Sequence, residues 1–75
     1  MFVRYMQSMI DNGNSLSDAF DTIKELDTFF DIASSSHRDL KPRLGCNIYR
    51  CIRARDNFER MSGMRLNFSF NGQVH

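Results

Sequence analysis

Four arginines recur through the second half of the chain, Arg43, Arg50, Arg53 and Arg60, at intervals of seven, three and seven residues. On a helix turning by about 100° per residue, those intervals gather all four within about 100° of one face. Asn57 and Cys46 fall between them, Tyr49 stands at the margin, and no acid lies inside the stripe. Guanidinium forks match the paired oxygens of phosphates and carboxylates. The stripe would therefore take an anionic partner, either a nucleic-acid backbone or the acidic surface of a protein. A merely solvated helix face is the competing reading. Arg55 falls instead among apolar positions, where a charge needs a partner or an interface. Glu59, four residues on, is the local candidate. Asp18 or Asp21 could reach it from a neighbouring antiparallel helix, and a dimer contact is the sharper alternative.

Other chemistry-bearing residues support less. His37 to Pro42 read HRDLKP, the order that opens a kinase-type catalytic loop. That loop needs a magnesium-binding Asn five residues after its Asp; five after Asp39 stands Leu44, and no glycine-rich loop or Asp-Phe-Gly triplet accompanies it. Ser36, His37 and Asp39 are neighbours in sequence, but a nucleophilic triad is defined by spatial geometry. Cys46 and Cys51, placed on one helix, would sit more than about 7 Å apart on different faces, too far to bridge. With His37 and His75 they make a scattered set without zinc-ligand spacing. No catalytic residue, metal or cofactor is expected, and the two cysteines are expected as free thiols of a reducing cytosol.

Seventy-five residues permit one domain, 1–75, with a thin core. A partner chain is the expected source of further stability. Ten basic and nine acidic residues leave a net charge of +1, so global electrostatics select no partner. The distribution is uneven. Six acids and one lysine between Asp11 and Asp31 leave −5, whereas seven bases and three acids between His37 and Arg60 leave +4. No apolar run reaches the roughly 20 residues of a membrane span. The segment MFVRYMQSMIDNG lacks the unbroken apolar stretch of a secretory leader, so a cytoplasmic location is expected.

Three helices are expected to position these residues. The first, 2–11, places Phe2, Met6, Met9 and Ile10 at helical spacing and stops at Asn12-Gly13. The second, 15–35, opens on Ser15 as N-cap with Asp18 three residues on. Its apolar seam runs Leu16, Ala19, Ile23, Leu26, Phe30 and Ala33, flanked by Phe20 and Phe29. The third, 40–61, takes Asp39 as N-cap and Pro42 in its first turn. It carries Leu40, Leu44, Ile48, Cys51, Ile52 and Phe58 on one arc and ends at Gly63; Gly45 weakens it or delays its start to Cys46. The two longer helices are expected to pack antiparallel.

The tail from Met64 changes period. Met64, Leu66, Phe68 and Phe70 alternate with polar residues, which is strand-like. Asn71-Gly72 could turn a hairpin, although only three residues remain for its return arm. A lone apolar strand must pair with 2–6, with a second copy or with another protein, or else lie across the helices as an extended arm. Leu66, Phe68 and Phe70 are therefore interface candidates together with Arg55.

The expected fold class is mainly α: a small three-helix domain with an extended or β-like tail. The expected function is non-enzymatic protein binding as an inhibitor, adaptor or regulator, acting as a homodimer, of the kind frequent in phage and mobile-element genomes. A nucleic-acid-binding regulator using the arginine stripe is the alternative, which lacks any helix-turn-helix, zinc-finger or RNA-recognition signature.

Overall fold

The computed structural model describes residues 2–36 and 38–75 and shows a mainly helical domain of three helices with a small mixed sheet. His37, weighed above for zinc and for a triad, lies outside the described residues, as does the side chain of Phe2. Helix α1 spans Phe2–Asp11, α2 spans Leu16–Phe29 and α3 spans Ile48–Ser62. Strand β1 is Asp39–Leu40, β2 is Asn67–Phe70 and β3 is Gln73–Val74, in the order β1-β2-β3.

Helix α1 ends where its sequence says it should. The Gly13 N–H donates to the Ile10 carbonyl at 3.0 Å and the Asn14 N–H to the Met9 carbonyl at 3.1 Å, with Gly13 at φ 91°. That paired pattern needs a left-handed residue at its turn, which glycine adopts without steric penalty. The buried face differs from expectation: Tyr5 and Met9 are fully enclosed, Met6 is half-buried and Ile10 faces outward. The helix is rotated so that the Tyr5 ring meets Phe58, with centroids 5.2 Å apart.

Helix α2 starts as expected, the Ser15 hydroxyl oxygen accepting the Asp18 N–H at 3.1 Å. Ala19, Ile23 and Leu26 carry its buried seam, while Leu16 and Ala33 are exposed. It ends six residues early. Phe30 is extended, at φ −128° and ψ 141°, and bridges Pro42 antiparallel. The Arg43 N–H donates to the Phe29 carbonyl at 2.9 Å and the Asp31 N–H to the Lys41 carbonyl at 2.7 Å. These bonds capture the backbone that a longer helix would have used, and only a 3₁₀ turn at Ile32–Ser34 follows.

The larger correction concerns residues 39–47. Asp39 is a strand residue and caps no helix; Asp39-Leu40 pairs in parallel with Asn67-Phe68. Proline at 42 biases Lys41 toward extended backbone. Gly45 at φ 80° then closes a turn in which the Cys46 N–H donates to the Arg43 carbonyl at 3.2 Å. A positive φ at the third position marks a type II turn, which favours glycine there. Leu44, expected on the buried arc, stands fully exposed on this turn. The cap is Asn47, whose Oδ1 accepts the N–H of Tyr49 at 2.8 Å and of Arg50 at 3.4 Å.

Helix α3 buries Cys51, Ala54, Phe58 and Ser62 and stops at Gly63, a left-handed C-cap. It runs antiparallel to α2. Thr22 of α2 reaches Met61 near the end of α3, while Phe29 at the end of α2 lies beside Cys51 near its start. The tail pairs within the chain, β2 lying between β1 and β3 rather than against α1. Asn71-Gly72 does turn a hairpin, at φ 53° and 82°, the pair of positive angles of a type I′ turn. Three residues suffice for its return arm because the His75 N–H donates to the Phe68 carbonyl at 2.7 Å and the His75 ring stacks on Phe68 at 5.3 Å. Leu66 and Phe68 join Tyr5, Phe30, Leu26, Ile32 and Phe58 in one core.

Candidate binding surface

The inner and outer faces of α3 separate the arginines by role. Arg55 points inward, its side chain 14% exposed, with Nε 3.0 Å from Asp56 Oδ1 and 3.9 Å from Glu59 Oε1. Its guanidinium carbon lies 5.3 Å from the centre of the Phe68 ring, a cation–π contact strengthened by partial desolvation. Glu59 completes the arrangement through Oε2, which accepts the Leu66 N–H at 2.7 Å. Arg55 therefore ties helix to tail within one chain. Its ion pairs among the described residues are with Asp56 and Glu59, not with Asp18 or Asp21.

Arg43 leaves the stripe, because it precedes α3. Its Nη2 pairs with Asp27 Oδ1 at 3.0 Å and its Nε donates to the Asp27 carbonyl at 2.6 Å, fastening the turn to the end of α2. Arg50, Arg53 and Arg60 remain on the outer face, and the Arg60 guanidinium donates to Asn57 Oδ1 at 2.6 Å. Arg50 and Arg53 form no ion pair among the described residues. Tyr49 stands beside them at 79% exposure.

Tyr49, Arg53 and Arg60, but not Arg50, border a groove of about 670 Å³ whose lining also includes Ile52 and Asn57, with Glu25 of α2 and Asp56 as its acidic members. Charges of both signs therefore alternate where the helical wheel indicated only positive ones. Glu25 enters because the antiparallel packing of α2 brings its outer face alongside, a contact that a single-helix projection does not contain.

Of the tail residues expected at an interface, Leu66 and Phe68 are enclosed in the core, and Phe70 is half-buried on β2. Two surfaces escaped the sequence reading. Leu44 was one, although Pro42 and Gly45 around it are turn signals that would place it at a tip. The other is a groove of about 380 Å³ between α1 and α2, lined by Met6, Phe20, Ile23, Lys24 and Asp27, with Phe20 at 59% exposure.

The cysteines require the plainest correction. Their sulfurs lie 2.9 Å apart, because Cys46 belongs to the turn before Asn47 and not to the helix. Helical spacing consequently does not govern the pair. Burial, the hydrogen bond with Cys46 and the proximity of that sulfur together push the Cys51 thiol from its ordinary 9.0 up to about 12. Among the described residues no group of three or more His, Cys, Asp or Glu is gathered for a metal, and no helix is long and apolar enough to cross a membrane. No protein-family model, curated protein or solved structure matches the chain.

Proposed function

We propose that this chain is a small protein-binding module, an inhibitor, adaptor or regulator, acting through the outer face of α3. The observation that carries the reading is the groove whose lining combines exposed Tyr49, Arg53 and Arg60 with the acids Asp56 of the same helix and Glu25 of α2. Tyrosine and arginine are the side chains that most often supply the central binding energy of protein interfaces. Alternating charge suits a polypeptide carrying both acidic and basic groups. A phosphate backbone would meet Glu25 and Asp56 as like charges, and Arg43 is already engaged by Asp27. The nucleic-acid reading is correspondingly weaker.

Homodimerisation is proposed through a different surface. With Leu66 and Phe68 enclosed, the case for a second copy rests on Phe20 and the apolar groove between α1 and α2. Sedimentation at micromolar concentration should show a dimer that Phe20→Asp dissociates; a wild-type monomer would remove this part of the proposal.

The binding face is tested by placing a photo-crosslinking residue at position 49, with position 17 on exposed α2 as control, in the native host. A protein adduct specific to position 49 is expected. Its purified partner should bind the Tyr49→Ala, Arg53→Ala double variant about a hundredfold more weakly, from about 2–4 kcal/mol lost at two central contacts. Identical adducts at both positions would sink the reading. Wild-type binding to arbitrary duplex DNA, with log K falling by about 0.9 per contact per log unit of salt, would transfer it to the nucleic-acid alternative.

A further inference from the structure

We propose that Cys46 and Cys51 are a redox-active dithiol that closes to an intrachain disulfide by exchange with an anionic low-molecular-weight disulfide of the glutathione class.

Three observations converge on the pair. The sulfurs are 2.9 Å apart without any rearrangement of secondary structure. They sit on unlike supports: Cys51 is buried in the first turns of α3, whereas Cys46 is half-buried on the turn closed by Gly45. A turn can follow the small shift that bond formation requires, while a helix residue holds its place. Finally, Cys46 opens onto a groove of about 330 Å³ shared with Phe29, Arg43, Leu44 and Arg50. The Arg50 guanidinium has no ion-pair partner among the described residues, so it is available to the carboxylates of an incoming anion.

The accessible sulfur reacts first. Cys46 gives its proton to solvent and its sulfur attacks one sulfur of the small disulfide, expelling a thiolate that takes up a proton. Once the Cys46 sulfur is capped, Cys51 no longer shares a proton with a neighbouring thiol; it gives its proton to solvent as its sulfur attacks the Cys46 sulfur of the mixed disulfide, releasing the second small thiolate, which takes up a proton. Two protein thiols have become one disulfide and one small disulfide has become two thiols, with two electrons transferred. The product ties the turn carrying Leu44 to the first turns of α3, beside Arg50. It does not depend on what the neighbouring groove binds.

The test uses the reduced, desalted chain incubated with glutathione disulfide, followed by alkylation under denaturing conditions and intact mass measurement. The expected product is a monomeric chain two hydrogens lighter with no alkylatable thiol and a melting temperature raised by about 5–10 °C. Cys51→Ser should stop at a stable glutathione adduct on Cys46, and Cys46→Ser should stay largely unmodified. The anionic preference is read against cystamine, a cationic disulfide. Wild type should react with glutathione disulfide several-fold faster relative to cystamine than Arg50→Ala does. A persistent glutathione adduct on wild type, a cross-linked dimer or two thiols still open to alkylation would overturn the dithiol. An unchanged rate ratio in Arg50→Ala would overturn the choice of oxidant.

Discussion

The two ends of α3 are built on opposite principles. At its C-terminal end the inward-facing polar groups are spent on holding the fold. Asn12 and Asn14 both donate to the Met61 carbonyl, Glu59 accepts the Leu66 N–H, and Arg55 lies over Phe68. At its N-terminal end Asn47 serves the helix, while Tyr49, Arg50 and Leu44 point to solvent and the cysteines face each other across the turn. The inward polar ties of the helix thus gather at its C-terminal end and its two cysteines and Tyr49 at the other, while Arg53, Asn57 and Arg60 continue the outer face along its length.

The widest separation of the two ends should come from removing one aromatic ring from each. Phe68 is enclosed between Phe30, His75 and Arg55. Phe68→Ala should cost about 3–5 kcal/mol through lost burial and an unfilled cavity, a large part of what a domain of this size has. Tyr49→Ala removes a comparable ring from solvent and should stay within about 0.5 kcal/mol. Urea denaturation of both variants measures the difference. Equal losses would mean that the exposed ring is structural and that the division is wrong.

A finer contrast lies in the polar groups. Glu59→Ala leaves the Leu66 N–H without its acceptor and Arg55 with one fewer acid, for about 1–3 kcal/mol. Glu59→Gln retains an acceptor oxygen and should recover part of that loss. At the other end Asn47→Ala removes only an exposed cap and should cost about 1 kcal/mol. Twelve residues of helix separate the sites by about 18 Å, so the double variant should be additive to within about 0.5 kcal/mol. A larger interaction would show that the ends communicate.

The C-terminal end was also the more legible in sequence. The Gly63 stop, the Asn12-Gly13 break and the Ser15 cap are local signals whose partners lie within five residues, and each is where it was expected. Arg55 with Glu59 was legible for the same reason, being one helical turn apart. The N-terminal end was misread because its determinants are non-local. Asp39 and Pro42 imitate a helix start; what makes them extended is pairing with Asn67 and Phe30, which no short window contains. Gly45 and Asn47 were the local signals for the true start, and giving them precedence would have moved Arg43 off the stripe and brought Cys46 within reach of Cys51. The groove at Tyr49 was half legible: α3 supplied its arginines, but Glu25 arrives only with the packing of α2.

The smallest expected effect appears only in alkali and isolates the thiol at the N-terminal end. Cys51 is held protonated by burial and by its neighbour, its value raised from 9.0 to about 12. Below about pH 9 the thiol is protonated in both folded and unfolded chains and contributes no pH dependence. Above it the unfolded chain releases this proton while the folded chain keeps it, so unfolding is favoured progressively until the folded thiol also ionises near pH 12. The buried Tyr5 hydroxyl, raised by desolvation from its ordinary 10.0 against a smaller opposing effect of Arg4, adds a loss of the same sign that begins about one pH unit later. Cys51→Ala removes the earlier component and leaves the later one. In the presence of reductant, the variant should melt below wild type near neutral pH, because a buried sulfur is missing. The gap should then narrow between about pH 9 and about pH 10, before Tyr5 enters and while both proteins share every other titrating group. A gap that stays constant across that interval would mean the Cys51 thiol ionises as readily folded as unfolded, and the protected sulfur at this end of α3 would have to be abandoned.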